Sequence, residues 1–358
     1  MIRPTTIPEV QSAVREHSRL LPRGGGTKPA LSTGPEGVPT LDLFGLSGVL
    51  EYEPAEFTFT ALGGTRVSEV RALLSRHGQY LPFDPPLVER GATLGGTVAA
   101  GLSGPGRCRY GGVRDFILGV RFVDGSGELV RGGGKVVKNA AGFDFPKLMV
   151  GSLGNLGVLV EIIFKVFPLP AAHASVQFTF PSMEDAVEAL RRVYTSRLDV
   201  DALDLAPEKD GQTSLWLRLA GLPEALAQRS DRARELLGGG ELREGEPEEG
   251  FWNEAREFGW VPAGWTLVKV PLTPARISIA ETLRGACPLR RYSAAGNLGW
   301  LASPESPAGM DEALKGAGLS GLAIFGPPGK VRLGVRAGGE FERRVKSVFD
   351  PSGKFGEA

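Results

Sequence analysis

The sequence predicts an α+β protein of two domains, on three observations. The chain has 358 residues, more than one hydrophobic core usually organises. Glycine-rich segments between short strands and short helices are concentrated before residue 170. Composition then shifts at Pro168-Leu169-Pro170, after which helical and strand patterns continue without repeating those glycine segments.

Taken in order, residues 7–17 read as an amphipathic helix with Thr6 as N-cap and Val10, Ala13 and Val14 on one face. A strand at 20–22 runs into Arg23-Gly24-Gly25-Gly26-Thr27-Lys28. Taken alone, that glycine run also fits a flexible surface turn. Strands are expected at 41–43, 49–52 and 57–61, the last with period 2, and a helix at 67–77. Leu81-Pro82-Phe83-Asp84-Pro85-Pro86 is stiff because each proline fixes its own φ and restricts its predecessor. It delivers the chain, past Pro85, to a second glycine segment starting at Gly91.

Further on, 117–124 reads as a strand, Gly125-Ser126-Gly127 as a hairpin turn and 128–131 as the return strand. Residues 136–144 lead to a short helix around 146–150, and 158–167 is a buried strand. The second domain begins with a strand at 176–180 and a helix at 183–194 capped by Ser182. A strand at 215–219 and a helix at 223–237 follow, then an acidic stretch at 241–249 read as a solvated loop. A strand at 267–270 and a helix at 274–284 complete a β-α-β type pattern.

Formal net charge is zero, so electrostatics gives no case for nucleic acid or an anionic membrane. The N-terminus lacks a signal-like apolar core, and the most apolar run, 157–168, is too short to span a bilayer and is interrupted by Glu161 and Lys165. Cys108 and Cys287 are far apart, which supports neither a disulfide framework nor a zinc or iron–sulfur site. A cytoplasmic protein without a bound metal is expected.

The chemistry concentrates in Gly91-Ala92-Thr93-Leu94-Gly95-Gly96-Thr97-Val98-Ala99-Ala100-Gly101, Arg109-Tyr110-Gly111-Gly112 and Gly151-Ser152-Leu153-Gly154-Asn155-Leu156-Gly157-Val158. A pyrophosphate can be held by several backbone N–H groups if no Cβ blocks the approach, and glycine removes that Cβ. A helix opening at Leu94 with Thr93 as N-cap is expected to aim its free amides at the same anion. Val98 to Gly101 offers a smooth surface for a flat ring. With this second segment downstream, a phosphate loop becomes the better reading of Gly24 to Gly26. The spacing fits neither a G-x-G-x-x-G fingerprint nor a Walker loop, since the Gly-Lys pairs at 134, 329 and 353 are followed by Val136, Val331 and Phe355.

Together these segments resemble the FAD-binding fold of the vanillyl-alcohol oxidase, or p-cresol methylhydroxylase (PCMH), type over roughly residues 1–170. Lys138-Asn139-Ala140-Ala141-Gly142-Phe143-Asp144 with 148–154 more narrowly resembles the E-subunit family of bacterial glycolate oxidases. The resemblance implies a two-subdomain PCMH-type FAD domain at 1–170, a smaller α+β cap domain at 171–330, and a segment at 331–358 returning to the FAD domain. It implies a cofactor site comprising Arg23, Gly24, Gly25, Gly26, Thr27, Lys28, Pro85, Gly91, Ala92, Thr93, Gly95, Gly96, Val98, Ala99, Tyr110, Gly111, Gly154, Gly157 and Val158. Diphosphate contacts fall to Gly24–Thr27 and Ala92–Gly96, and Gly157 and Val158 lie near the adenosine half.

Thr27 stands where relatives carry a flavin-linking histidine, which implies non-covalent FAD. No histidine follows His173, so the histidine-rich cluster of self-sufficient relatives is missing. The implied role is the FAD-binding subunit of a glycolate oxidase complex, partnered by a sister flavoprotein and an iron–sulfur subunit. A 2-hydroxy acid would be oxidised through the complex, and any membrane association would run through the partners. Alternatives are a free-standing 2-hydroxy-acid dehydrogenase with an unusual base such as Tyr292, or a redox-silent structural subunit; Arg290, Arg291 and Tyr292 could bind a carboxylate, but a solvated surface patch is the better reading of them. A sugar-nucleotide reductase of the same fold is weaker, because no nicotinamide motif is found.

Overall fold

The protein is described by a computed structural model covering residues 1–135, 142–208, 210–336 and 338–356. The chain forms two compact units, one of Met1–Ser103, Gly112–Leu169 and Ala337–Ala358, the other of Gly104–Gly111 and Pro170–Arg336.

In the first unit, the helix Ile7–Glu16 is closed by a capping box in which Thr6 and Glu9 exchange hydrogen bonds. The strand Leu21–Arg23 lies parallel to Thr40–Asp42. Val10, Val14, Leu20, Leu41, Val158, Val160 and the C-terminal Phe355 form one buried cluster, so both chain ends close on the same core. Beside it stands a five-stranded antiparallel sheet in the order Val49–Glu53, Thr58–Leu62, Val158–Lys165, Ile117–Val123, Leu129–Gly133. Val158–Lys165 is the middle strand, which is why it reads as a nearly continuous apolar run. Phe59, Phe83, Phe116 and Phe164 pack together at ring separations of 5.7–5.8 Å.

The second unit is built on a nine-stranded sheet. Its order is Glu241–Arg243, Ala172–Phe180, Thr213–Gly221, Ala202–Pro207, Leu289–Ser293, Leu298–Ser303, Thr266–Pro271, Ser320–Phe325, Arg332–Gly334. Every pairing is antiparallel, so the β-α-β reading of this region is corrected. Helices Met183–Tyr194 and Pro223–Leu237 occupy their expected positions.

The acidic stretch is also corrected. Residues 241–243 are an edge strand, and Glu246 begins a helix running to Glu257. Glu246, Glu248 and Glu249 sit in its first turn, where they complement the helix dipole. Glu248 is only 2% exposed, and its carboxylate accepts hydrogen bonds from Arg218 Nε at 2.7 Å and Ser175 Oγ at 3.1 Å. Trp252, one turn on, is fully buried and donates its indole N–H to Ser175 Oγ. A charge-rich composition concealed one buried face.

Candidate functional site

Three segments of the first unit converge on a cavity open to solvent, which together with the solvent space at its mouth encloses about 720 Å³. The first is the turn after Leu21–Arg23. A Cβ at Gly24 would lie 2.1 Å from Thr93 Oγ1, and one at Gly25 would lie 2.0 Å from the Gly91 carbonyl oxygen. No other residue type permits that approach, so glycine here is required by a contact made across about seventy residues of sequence. Gly26 adopts φ +64°, which turns the chain back. Among the described residues, the backbone amides of Gly24, Gly25, Gly26, Thr27 and Lys28 donate to no acceptor. Successive unpaired amides of this kind form an anion-binding concavity.

Lys28 lines the cavity and is 6% exposed. Its ammonium donates to Thr27 Oγ1 at 3.1 Å and has no carboxylate partner among the described residues. Burial alone pushes it down to about 8. Arg23, the other charged residue lining the cavity, has a buried Nε without a hydrogen-bond partner. A cation-lined space with unpaired donors suits an anion.

The second segment is the short helix Leu94–Ala100, capped by Thr93 Oγ1 accepting from Gly96 N. Its leading amides do not point freely at the cavity, which corrects the expected role of this helix end. Leu94 N donates to Thr65 O at 2.9 Å, Gly95 N to Gly63 O at 2.8 Å, and Thr97 N to Thr93 O at 2.9 Å. What this segment contributes is shape, since Gly95, Gly96, Ala99 and Ala100 form a wall without long side chains. The third segment runs through Leu153 and Gly154, both left-handed at φ +56° and +78°, to Gly157 at +151°. Leu153 N donates to Ala99 O at 2.8 Å, tying it to the second.

Of the residues singled out in the sequence, Arg23, Gly24, Gly25, Gly26, Thr27, Lys28, Thr93, Gly95, Gly96, Ala99, Gly154 and Gly157 line the cavity. Gly91 packs its carbonyl behind Gly25, Ala92 O accepts from Val67 N, and Val98 and Val158 are core residues. Pro85 is buried away from the lining, between left-handed Asp84 and Leu87. Tyr110 and Gly111 belong to the second unit. Residues 136–141, with the Lys138–Ala141 part of the glycolate-oxidase-like motif, lie outside the described residues. Asp144 caps the helix Phe145–Met149.

Sequence reasoning missed Gly63, whose pairing with Gly64 was a readable signal. A Cβ at Gly63 would meet Leu159 O at 2.2 Å, and one at Gly64 would meet Leu43 O at 1.8 Å. It also left Leu31, Leu43, Leu153 and Leu159 unassigned, and nothing local to those leucines marks a cavity wall.

In the second unit, the proposed carboxylate pair is already occupied. Arg290 donates from Nε and one terminal nitrogen to the two oxygens of Glu281 at 2.8 and 2.9 Å, and Arg291 donates to Glu254 at 3.0 Å. Tyr292 is fully buried and donates to Glu281 Oε1 at 2.5 Å; burial first, then the Glu281 charge, raise its pKa. It is no base. Tyr292→Phe is expected to cost about 1 kcal/mol in urea unfolding, one hydrogen bond, while flavin affinity stays unchanged in a titration of the same protein. Cys108, half-buried in this unit, is pushed up to about 12 by burial and by Asp204 and Asp201, so it is a thiol rather than a nucleophilic thiolate. His173 is held down at about 4 by burial, then by Arg218 and Arg256.

Residues 1–133 match the FAD binding domain family. Glycolate oxidase subunit GlcE of Escherichia coli (strain K12) is 39% identical over 249 residues, which cover 70% of this chain and 67% of that protein. Glycolate oxidase subunit GlcD of Bacillus subtilis (strain 168) is 28% identical over 180 residues, half of this chain and 38% of that protein. A solved structure of alkyldihydroxyacetonephosphate synthase superposes with a TM-score of 0.72 at 17% identity, over 98% of this chain and 74% of that one, and it shows the fold alone. The cofactor fits what the cavity provides: a turn whose close approach to Thr93 and Gly91 a Cβ at Gly24 or Gly25 would block and, among the described residues, five unpaired amides and a buried ammonium without a carboxylate. Among the described residues no helix is long and apolar enough to cross a membrane.

Proposed function

The chain belongs to the FAD-binding flavoprotein family of the glycolate oxidase subunit GlcE, and we propose that it is the FAD-carrying subunit of a glycolate oxidase complex. The amides of Gly24 to Lys28 and the Lys28 ammonium hold the diphosphate, and Arg23 adds a second positive charge at the rim. Gly95, Gly96, Ala99 and Ala100 form the close wall. Leu153, Gly154 and Gly157 shape the side that takes the adenosine half. The observation that carries this reading is the run of five amides, unpaired among the described residues, beside a buried lysine with no carboxylate partner among them.

When bound, FAD supplies the acceptor for the hydride lost from the α-carbon of a 2-hydroxy acid. Such oxidation also needs a base for the hydroxyl proton. Among the described residues, the cavity that takes the diphosphate is lined by glycine, alanine, proline, leucine, serine and threonine besides Arg23 and Lys28. Substrate oxidation is assigned to the complex, in which a sister flavoprotein receives the 2-hydroxy acid and an iron–sulfur subunit passes electrons onward in the cytoplasm. The purified chain is expected to take up FAD yet reduce no dye with glycolate until those subunits are added. Turnover by the chain alone would favour a free-standing dehydrogenase. Unimpaired turnover of a complex carrying Gly95→Trp, which blocks the cofactor, would favour a structural subunit.

A further inference from the structure

The C-terminal tail bonds to the 153–157 segment and to Leu20, which precedes the strand leading into the 24–28 turn. Lys346 lies on the helix Gly339–Phe349, and its ammonium donates to three acceptors: Asn155 O at 3.1 Å, Asp350 Oδ2 at 2.8 Å and Phe355 O at 2.6 Å. Asn155 sits between Gly154 and Gly157, which line the cavity. Asp350 is buried, and its carboxylate accepts from the amides of Lys354 and Phe355 at 2.8 and 2.9 Å. Lys354 O in turn accepts from Leu20 N at 2.9 Å, immediately before the strand that leads into Gly24. Phe355 fills the core beneath.

The loop that Lys346 grips is strained. Leu153 holds a left-handed conformation that a branched side chain adopts at a cost of about 1 kcal/mol or more. Such a conformation persists only where the surroundings over-determine it. Here the Leu153 amide is fixed to Ala99 O on one side, and Asn155 O is fixed to Lys346 on the other.

We propose that Lys346 is a positioning residue for the cofactor cavity: it transmits closure of the C-terminal tail to the 153–157 wall, so that tail docking and FAD binding are one coupled equilibrium. This rests on the cavity being the FAD site. Coupling is reciprocal, so FAD must tighten the tail by the factor by which the tail tightens FAD.

The test combines FAD titration of wild type, Lys346→Met and Lys346→Arg with amide hydrogen exchange over residues 350–356, with and without FAD. The expected result is an affinity about tenfold weaker in Lys346→Met, with partial recovery in Lys346→Arg, and a lower apo melting temperature in Lys346→Met because the buried Asp350 carboxylate loses its cation. FAD should slow exchange at 350–356 in wild type and do so much less in Lys346→Met. Equal affinity in wild type and Lys346→Met would overturn the proposal, as would tail exchange indifferent to FAD. The exchange experiment on wild type decides the matter even if Lys346→Met fails to fold. A wild-type chain that binds no FAD would instead remove the cofactor site itself, and its own titration reveals that before any variant is compared.

Discussion

Gly25→Ala is expected to abolish FAD retention, with affinity at least about a hundredfold weaker, equivalent to about 2.7 kcal/mol. The new methyl would sit 2.0 Å from the Gly91 carbonyl oxygen, a backbone atom with no rotamer to escape into. Either the 24–28 turn or the 91–93 turn must retreat, and retreat of the first disperses the five unpaired amides. Overpacking adds about 1–3 kcal/mol of destabilisation. Gly26→Ala is the internal control: its methyl meets only Arg23 Cδ at 3.9 Å, so it carries the left-handed penalty of about 1 kcal/mol and little else. Flavin absorbance per protein after desalting, with circular dichroism to confirm folding, separates the two. Equal flavin content in both variants would contradict the account.

Lys28→Met is expected to weaken FAD binding by about thirtyfold, or about 2 kcal/mol, while making the apo protein more stable. The two signs are opposite because burial without a carboxylate penalises the charged amine until an anion arrives. Burial holds its pKa in the folded protein at about 8, below the ordinary lysine value of 10.5, so the folded apo protein disfavours the proton. Below about pH 8 the penalty is fully present; as pH rises from about 8 towards 10.5, apo stability attributable to this group increases. FAD reverses the preference by favouring the ammonium. Affinity should be highest below about pH 8 and fall by up to about tenfold per pH unit above it. Titrations across that range should show the decline in wild type and a flat profile in Lys28→Met. A decline of equal slope in the variant would exclude Lys28 as its source.

The glycine cradle was legible in the sequence because Gly24 and Gly25 answer a requirement only glycine meets, and because Gly91 to Gly96 repeated the signal. The cap at Thr93 was legible for the same local reason, yet the fate of the helix amides was not. Gly63 and Thr65 arrive from another part of the chain to accept the bonds of Gly95 and Leu94, and no pattern within 91–101 announces them. Leu153 illustrates a different limit, since a left-handed leucine is held by tertiary bonds to Ala99 and has no composition signal. In the second unit, Glu248 and Trp252 show how one buried face hides inside a charged stretch. Arg290 and Arg291 looked available for a substrate carboxylate only until Glu281 and Glu254 were placed beside them.

The most direct test of the central claim is a crystal structure of the chain with FAD bound. The account predicts diphosphate oxygens within about 3 Å of the amides of Gly24 to Lys28, with the Lys28 ammonium in the same shell. A diphosphate held elsewhere, with those five amides facing only water, would contradict it.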